Sequence, residues 1–402
     1  MLFQWLSLSA KIDGMTEEEF DQYVLPVYQR FPITIVGGSG SYIYDDQGKK
    51  YLDFLSGWSV SNLGHRPQAV VEAIKMQVDK LIHVPNVFYQ EPQGQLAKLL
   101  VQNSIDGKVF FGNSGAEANE AAIKFAKLYG QGKRHKIITT EQSFHGRTSG
   151  TMAATGQDRI KKGFAPHLGG FIHVPFNDIE ALQGAVDHET VAIMLEPVQG
   201  EGGIHVATPE YTAAIKQIRA EKDVLLIVDE VQSGMGRTGP LFAYQDYDIE
   251  PDIITSAKSL ASGLPIGATI VGTKVAVNVK PGMHGSTFGG GSLVAAAAIA
   301  TLEMLLTSEV RDNTTMLSDL FAEKLKELVD KHECITEVRQ KGLMIGIELD
   351  RDSEPIAKAC LEKGLYINST QSTVIRLLPP LTATAEEVEQ AISIINEVLQ
   401  AS

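Results

Sequence analysis

At 402 residues, with 44% apolar and 21% charged side chains and no low-complexity tract, the chain suits two domains, or one large α/β domain with appendages, and excludes a disordered or fibrous protein. Its formal net charge of −14 argues against binding nucleic acid or an anionic membrane, because phosphate recognition relies on clustered Lys and Arg. The only cysteines, Cys334 and Cys360, fit a reducing cytoplasm and small-molecule chemistry, with no disulfide framework.

The opening Leu2-Phe3-Gln4-Trp5-Leu6 is apolar but lacks a basic n-region, so no signal peptide is expected. Met15, ahead of Glu17-Glu18-Glu19, is a candidate natural start. No apolar run is long enough for a membrane span. Residues 17–30 predict a helix broken near Pro26, and residues 42–55 a hairpin turning at Asp46-Gln47-Gly48. Amphipathic helices are predicted over 67–81 and 91–102.

From Val109 one theme repeats: a short apolar strand, a polar or glycine-bearing loop, then a helix. Strand 109–111 leads to a helix over 114–129, closed by Gly130. Strand 136–138 leads to Phe144-His145-Gly146-Arg147, and strand 191–195 to Glu196-Pro197. A helix from Thr208-Pro209 to about Lys222 precedes strand 224–228, which ends on Asp229, and strand 252–255 precedes Lys258. This alternation predicts a mostly parallel sheet flanked by helices, with a site at the carboxyl ends of the strands. Beyond Gly291, helices over 295–306, 316–329 and 385–399 and strands over 342–349 and 374–378 predict an α+β unit. The expected division is a large domain over 63–290 and a smaller one from residues 1–62 and 291–402.

The chemistry-bearing residues cluster at these strand ends. A lysine delivered to a cleft loses water, shifts its pKa downward and becomes an amine nucleophile toward a carbonyl. Asp229, an acid closing a buried strand, needs a partner. Asn113-Ser114-Gly115-Ala116-Glu117 opens a helix whose free N–H groups suit a phosphate, although Ser114 and Glu117 also match a capping box that needs no ligand. Phosphate cup, acid and lysine are together the handles of pyridoxal phosphate, whose ring draws electrons when a carboxylate keeps its nitrogen protonated. The ten histidines form no recognisable metal-ligand set, so no metal is expected.

These motifs resemble those of class III, fold-type I pyridoxal-phosphate aminotransferases, most of all the acetylornithine/ornithine group. The resemblance runs from about Tyr23 to the C terminus. It is carried by Asn113 to Ala118, Phe144 to Thr148, Glu196 to Gly203, Asp229 to Arg237, Lys258 and His284 to Gly290. It implies that Lys258 is the Schiff-base lysine and proton shuttle and that Asp229 partners the pyridine nitrogen. Ser114, Gly115 and Ala116 are implied at the phosphate, Phe144 on the ring, Val231 in the cofactor site and Gln232 at the ring oxygen. Thr287 would reach the cofactor phosphate of a second subunit, making a homodimer with shared sites. Ser286 and Tyr42 are implied substrate contacts. Arg147 would take the α-carboxylate of an ornithine-type donor and Arg376 that of glutamate, with Glu201 masking Arg376 when glutamate is absent.

The implied activity moves the terminal amino group of N-acetylornithine or ornithine to 2-oxoglutarate. His145 is of the acetylornithine type, whereas Tyr42 and Trp58 are aromatics at ornithine-type positions, which leaves the donor open. A 4-aminobutyrate aminotransferase, an aminomutase or a decarboxylase are the alternatives, and a catalytically silent scaffold is disfavoured by Lys258 and Asp229. The chain departs from the family at Ala261-Ser262-Gly263, where several glycines are common, and at Gly291-Ser292-Leu293, where Gly-Asn-Pro is usual.

Overall fold

The structure is a computed structural model that describes residues 15–401. The apolar segment at Leu2–Leu6 lies outside the described residues.

A seven-stranded sheet organises the molecule. Its strands, in chain order, are β1 (Gly107–Gly112), β2 (Lys136–Thr140), β3 (Phe171–Val174), β4 (Thr190–Leu195), β5 (Leu225–Asp229), β6 (Ile253–Ser256) and β7 (Gly267–Gly272). Their spatial order is β1-β7-β6-β5-β4-β2-β3. Neighbours from β6 to β3 are parallel, while β7 runs antiparallel to both β6 and β1. Strands β4 and β5 are buried along their whole length, as continuous Val/Ile/Leu runs covered on both faces must be. This is the expected mostly parallel α/β sheet.

The register sets the site. Val228 of β5 lies opposite Leu195 of β4, and Asp229 opposite Thr255 of β6. Glu196, Asp229 and Lys258 therefore emerge side by side from three adjacent strand ends. Strand β7 was not foreseen: its Gly-Ala-Thr-Ile-Val-Gly sequence is short and small, so it carries little alternation. It enters at the same edge, where Gly267 pairs with Gly112 and packs under the Ser114 carbonyl.

Two further four-stranded sheets adjoin it. In one, Ile35–Ser39, Tyr42–Asp45 and Lys50–Asp53 form a meander, to which Leu365–Tyr366 adds in parallel. Chain segments from both ends of the sequence thus share a sheet. The other is antiparallel and places Val374–Leu377 between Met344–Leu349 and Asn368–Thr370. The first helix spans only Glu17–Tyr23, shorter than the pattern to Arg30, and ends before Pro26. The Ala-rich helix Ser292–Leu305 is mostly buried and packs on Gln68–Val78 and Glu91–Gln102, small side chains allowing close approach. No single helix among the described residues is long and apolar enough to cross a membrane.

An added Cβ at Gly267 would lie 2.2 Å from the Ser114 carbonyl oxygen, a backbone atom that cannot swing aside. Gly267→Ala should therefore destabilise the fold by about 1–3 kcal/mol, as overpacking does, read as an earlier urea midpoint.

Candidate active site

The helix Gly115–Tyr129 starts where β1 ends. Ser114 caps it, its hydroxyl accepting from the Glu117 N–H at 3.1 Å. The Glu117 carboxylate reaches past the cap to the Asn113 backbone N–H and side-chain amide, so the box is not reciprocal. Among the described residues the N–H groups of Gly115 and Ala116 donate to no protein acceptor, leaving the cup open to an anion. Gly115 is required here because an added Cβ would lie 2.7 Å from Val231 Cγ1.

One turn into the same helix, Asn119 donates to Asp229 Oδ2 at 2.7 Å and accepts from the Thr255 hydroxyl at 2.7 Å. His145 Nδ1 donates to the same Asp229 oxygen at 2.8 Å, and the Val231 N–H donates to Oδ1 at 3.0 Å. Burial works against a charged imidazole at His145, but the hydrogen bond and charge of Asp229, with Glu196, raise its pKa overall. Its Nε2 has no hydrogen-bond partner among the described residues. Glu196 accepts from the Phe144 N–H at 2.9 Å, and burial pushes its carboxyl up to about 7 against the pull of His145. Phe144 is half-buried, with the Arg147 guanidinium 5.8 Å from its ring centre.

Lys258 opens a short 3-10 turn after β6, in a left-handed conformation at φ +48. Its amine has no hydrogen bond or ion pair among the described residues. Burial lowers its pKa and the charge of Arg376 adds to this, opposed by Glu201, Asp229 and Glu196. The Ser256 hydroxyl, two residues earlier, is also buried without a partner. Across the cleft, the fully buried Arg376 pairs with Glu201 at 2.7 Å and donates to the Gly200 carbonyl at 2.9 Å and to Asn368 at 3.1 Å. Its other terminal nitrogen has no hydrogen-bond partner among the described residues. Gln232 lies 3.4 Å from Arg376, its amide oxygen over Gly200.

The cleft thus gathers Gly115, Ala116, Phe144, Asp229, Val231, Gln232, Lys258, Glu201 and Arg376. Other expected residues stand apart in the single chain. Thr287 is exposed, and Ser286 accepts from Asn113 at 3.2 Å and from the Gly289 N–H at 3.1 Å. The Tyr42 hydroxyl faces Gln390 at 3.4 Å, and Lys50 lies over its ring. Arg147 is exposed and has no acidic partner among the described residues. No acidic, histidine or cysteine group suited to a metal occurs among the described residues. Asn119, the bond from His145 to Asp229 and the bond of Glu196 to the Phe144 N–H were missed by sequence reasoning. The available signal for Asn119 was its spacing of four from Gly115, which puts both on one helix face.

An open phosphate cup, a buried carboxylate held by three donors and a strand-end lysine without a partner among the described residues fit pyridoxal phosphate, and with this sheet they define a fold-type I pyridoxal-phosphate-dependent transaminase. The chain belongs to the class-III aminotransferase family, whose profile matches residues 23–399. It is 50% identical to the acetylornithine aminotransferase of Caldanaerobacter subterraneus subsp. tengcongensis, over 94% of this chain and 97% of that protein. The structure is similar to the N-acetylornithine aminotransferase of Stenotrophomonas maltophilia (TM-score 0.82, 34% identity, 93% and 97% of the two chains). It is also similar to the ornithine aminotransferase of Toxoplasma gondii (TM-score 0.90, 32% identity, 96% and 95%), whose structure has PLP at partial occupancy in the active site.

The raised His145 pKa gives a signed expectation. Its pairing contributes stability that is fully present below the ordinary imidazole value and is lost as pH rises through the elevated one. In an NMR titration the His145 ring should titrate above the ordinary 6.5, and in Asp229→Asn below it, because burial then dominates. An unmoved titration would exclude the coupling.

Proposed function

We propose that the enzyme moves the terminal amino group of N-acetylornithine, or a related ω-amino acid such as ornithine, to 2-oxoglutarate, giving the semialdehyde and glutamate. The observation that carries this reading is the Glu201–Arg376 pair, 2.7 Å apart and within charge reach of Lys258. A transaminase with two unlike donors must bind a carboxylate at one lysine in one half-reaction and hide that binding group in the other.

Pyridoxal phosphate, when bound, supplies an aldehyde that accepts the amino group and a ring that draws electrons from the reacting carbon. Gly115 and Ala116 would hold its phosphate beside Ser114, and Thr287 from a second copy would complete that cup. Phe144 and Val231 would flank the ring, Gln232 would donate to its oxygen, and Asp229 would keep its nitrogen protonated. His145 and Asn119, both bonded to Asp229 Oδ2, hold that carboxylate in place. Lys258, whose amine has no hydrogen bond or ion pair among the described residues, would hold the cofactor's aldehyde carbon at rest and, once the incoming amino group has displaced it, would carry the proton at the reacting carbon. Arg376 grips the α-carboxylate of glutamate after Glu201 swings away, while Arg147 takes that of the ω-amino donor, with Ser286 and Tyr42 as further contacts. The two-bond fork of arginine suits both tasks.

Free ornithine is the second reading, supported by Trp58, which is 45% exposed in a left-handed stretch. A cytoplasmic homodimer is supported by the buried, free Cys334 and Cys360 and by the exposed apolar Val87, Phe88, Tyr89 and Phe288, the last of them next to Thr287.

The test mixes holoenzyme separately with glutamate, N-acetylornithine, ornithine and 4-aminobutyrate and follows the cofactor absorbance in a single turnover. Conversion by glutamate and N-acetylornithine is expected; conversion by 4-aminobutyrate alone would overturn the assignment. Lys258→Ala should retain cofactor in equilibrium dialysis yet lose at least about 100-fold in turnover. Arg376→Ala should lose about 2–4 kcal/mol, roughly 30-fold to 1,000-fold, with glutamate while largely sparing the ω-amino donor. Arg147→Ala should show the reverse bias, and equal losses on both donors would make the arginines structural.

A further inference from the structure

Glu201 is held at its backbone as well as at its carboxylate. The Thr370 hydroxyl and the Gln371 side-chain amide both donate to the Glu201 carbonyl, at 3.0 Å and 2.6 Å. Both come from the hairpin that carries Arg376, formed by Asn368–Thr370 and Val374–Leu377. Arg376 also takes the Gly200 carbonyl, and Arg339, on Ile335–Lys341 at the far edge of the same sheet, takes the Gly203 carbonyl at 2.8 Å. Carbonyls 200, 201 and 203 are therefore each tied to this sheet.

The hairpin turn itself is strained. Gln371 and Ser372 occupy left-handed conformations at φ +51 and +65, unfavourable for residues with a Cβ. An ordinary hairpin would place glycine or asparagine there. Here the first strained residue directs its amide to a carbonyl 170 residues away in sequence.

We propose that Thr370 and Gln371 are positioning residues for donor choice. By fixing the backbone of Glu201 against the hairpin that carries Arg376, they confine the gate to side-chain rotation and keep the closed pair in register. The inference rests on the reading of Glu201 and Arg376 as a gate. Without the two hydrogen bonds, Glu201 drifts from Arg376, so the arginine stays open to glutamate when the ω-amino donor should bind.

The experiment measures single-turnover efficiency with N-acetylornithine and with glutamate on the same preparation of holoenzyme. Their ratio is independent of the folded or active fraction, so a general loss of structure does not move it. In the Thr370→Val, Gln371→Leu double variant, the ratio of N-acetylornithine to glutamate efficiency should fall by roughly tenfold, about one net hydrogen bond. Restoring a hydroxyl, as Thr370→Ser with Gln371 intact, should return the wild-type ratio. In a Glu201→Ala background the clamp substitutions should change the ratio no further. A normal ratio in the double variant, alongside a shifted ratio in Glu201→Ala, overturns the clamp and leaves the gate standing. An unchanged ratio in Glu201→Ala overturns the gate, and the clamp with it. A further shift from the clamp substitutions in the Glu201→Ala background also overturns the proposal, because the effect would not pass through Glu201.

Discussion

Burying the Lys258 amine at the end of a central strand is the constraint to which the surrounding charges answer. A buried ammonium with no counter-charge costs several kcal/mol, so either its proton leaves or carboxylates gather. Three carboxylates do gather, yet none binds it. Glu201 is engaged by Arg376, Asp229 by Asn119, His145 and the Val231 N–H, and Glu196 by the Phe144 N–H. Their fields reach the amine while each commits at least one oxygen elsewhere. The nitrogen lone pair is therefore not lost to a salt bridge, which is what a nucleophile requires.

The frame behind Lys258 has the opposite character. Arg237 is fully buried, and it bonds neutral groups: the Ser59 hydroxyl, Asn62 and the carbonyls of Leu343 and Pro379. Burial without a counter-charge lowers its pKa to about 9. Asn62 in turn donates to the Ser259 hydroxyl at 3.0 Å and to the Met235 carbonyl at 3.2 Å. One guanidinium thus ties the turn of Lys258 to an N-terminal loop and to the C-terminal sheet. A lysine could not replace it, since a single ammonium cannot span four acceptors in this planar fork.

How much of this was legible follows from what each signal reports. Continuous apolar runs revealed β4, β5 and β6, and the residues at their ends pointed to Asp229 and Lys258, because period and polarity are local properties. Strand β7, with its glycines and small side chains, and β3, with His173 in its middle, lacked that contrast. The Glu201–Arg376 pair spans 175 residues and came only from resemblance, since no local pattern links a loop glutamate to a strand arginine. The bond from His145 to Asp229 depends on the order of strands in the sheet, which short-range reading does not supply.

Backbone strain was the least legible feature, and it lies on the same side of the molecule. Ser56, Gly57, Trp58 and Ser59 form a left-handed turn, with φ between 50 and 66, and Lys258 and Ser262 are left-handed at 48 and 46. Only one of these six residues is glycine, so the conformations are imposed by packing rather than preferred by the residues. Hydrogen bonds supply that imposition: the Ser56 hydroxyl holds the Leu378 carbonyl at 2.7 Å, Ser59 bonds Asn62 at 2.9 Å, and Ser262 meets Thr301 at 3.1 Å. Where family members commonly have glycines after the lysine, this chain thus keeps a left-handed bend by bonding a serine to the Ala-rich helix. Such a bend persists only while that helix stays packed, which makes the placement of Lys258 depend on the core beneath it as well as on the charges around it.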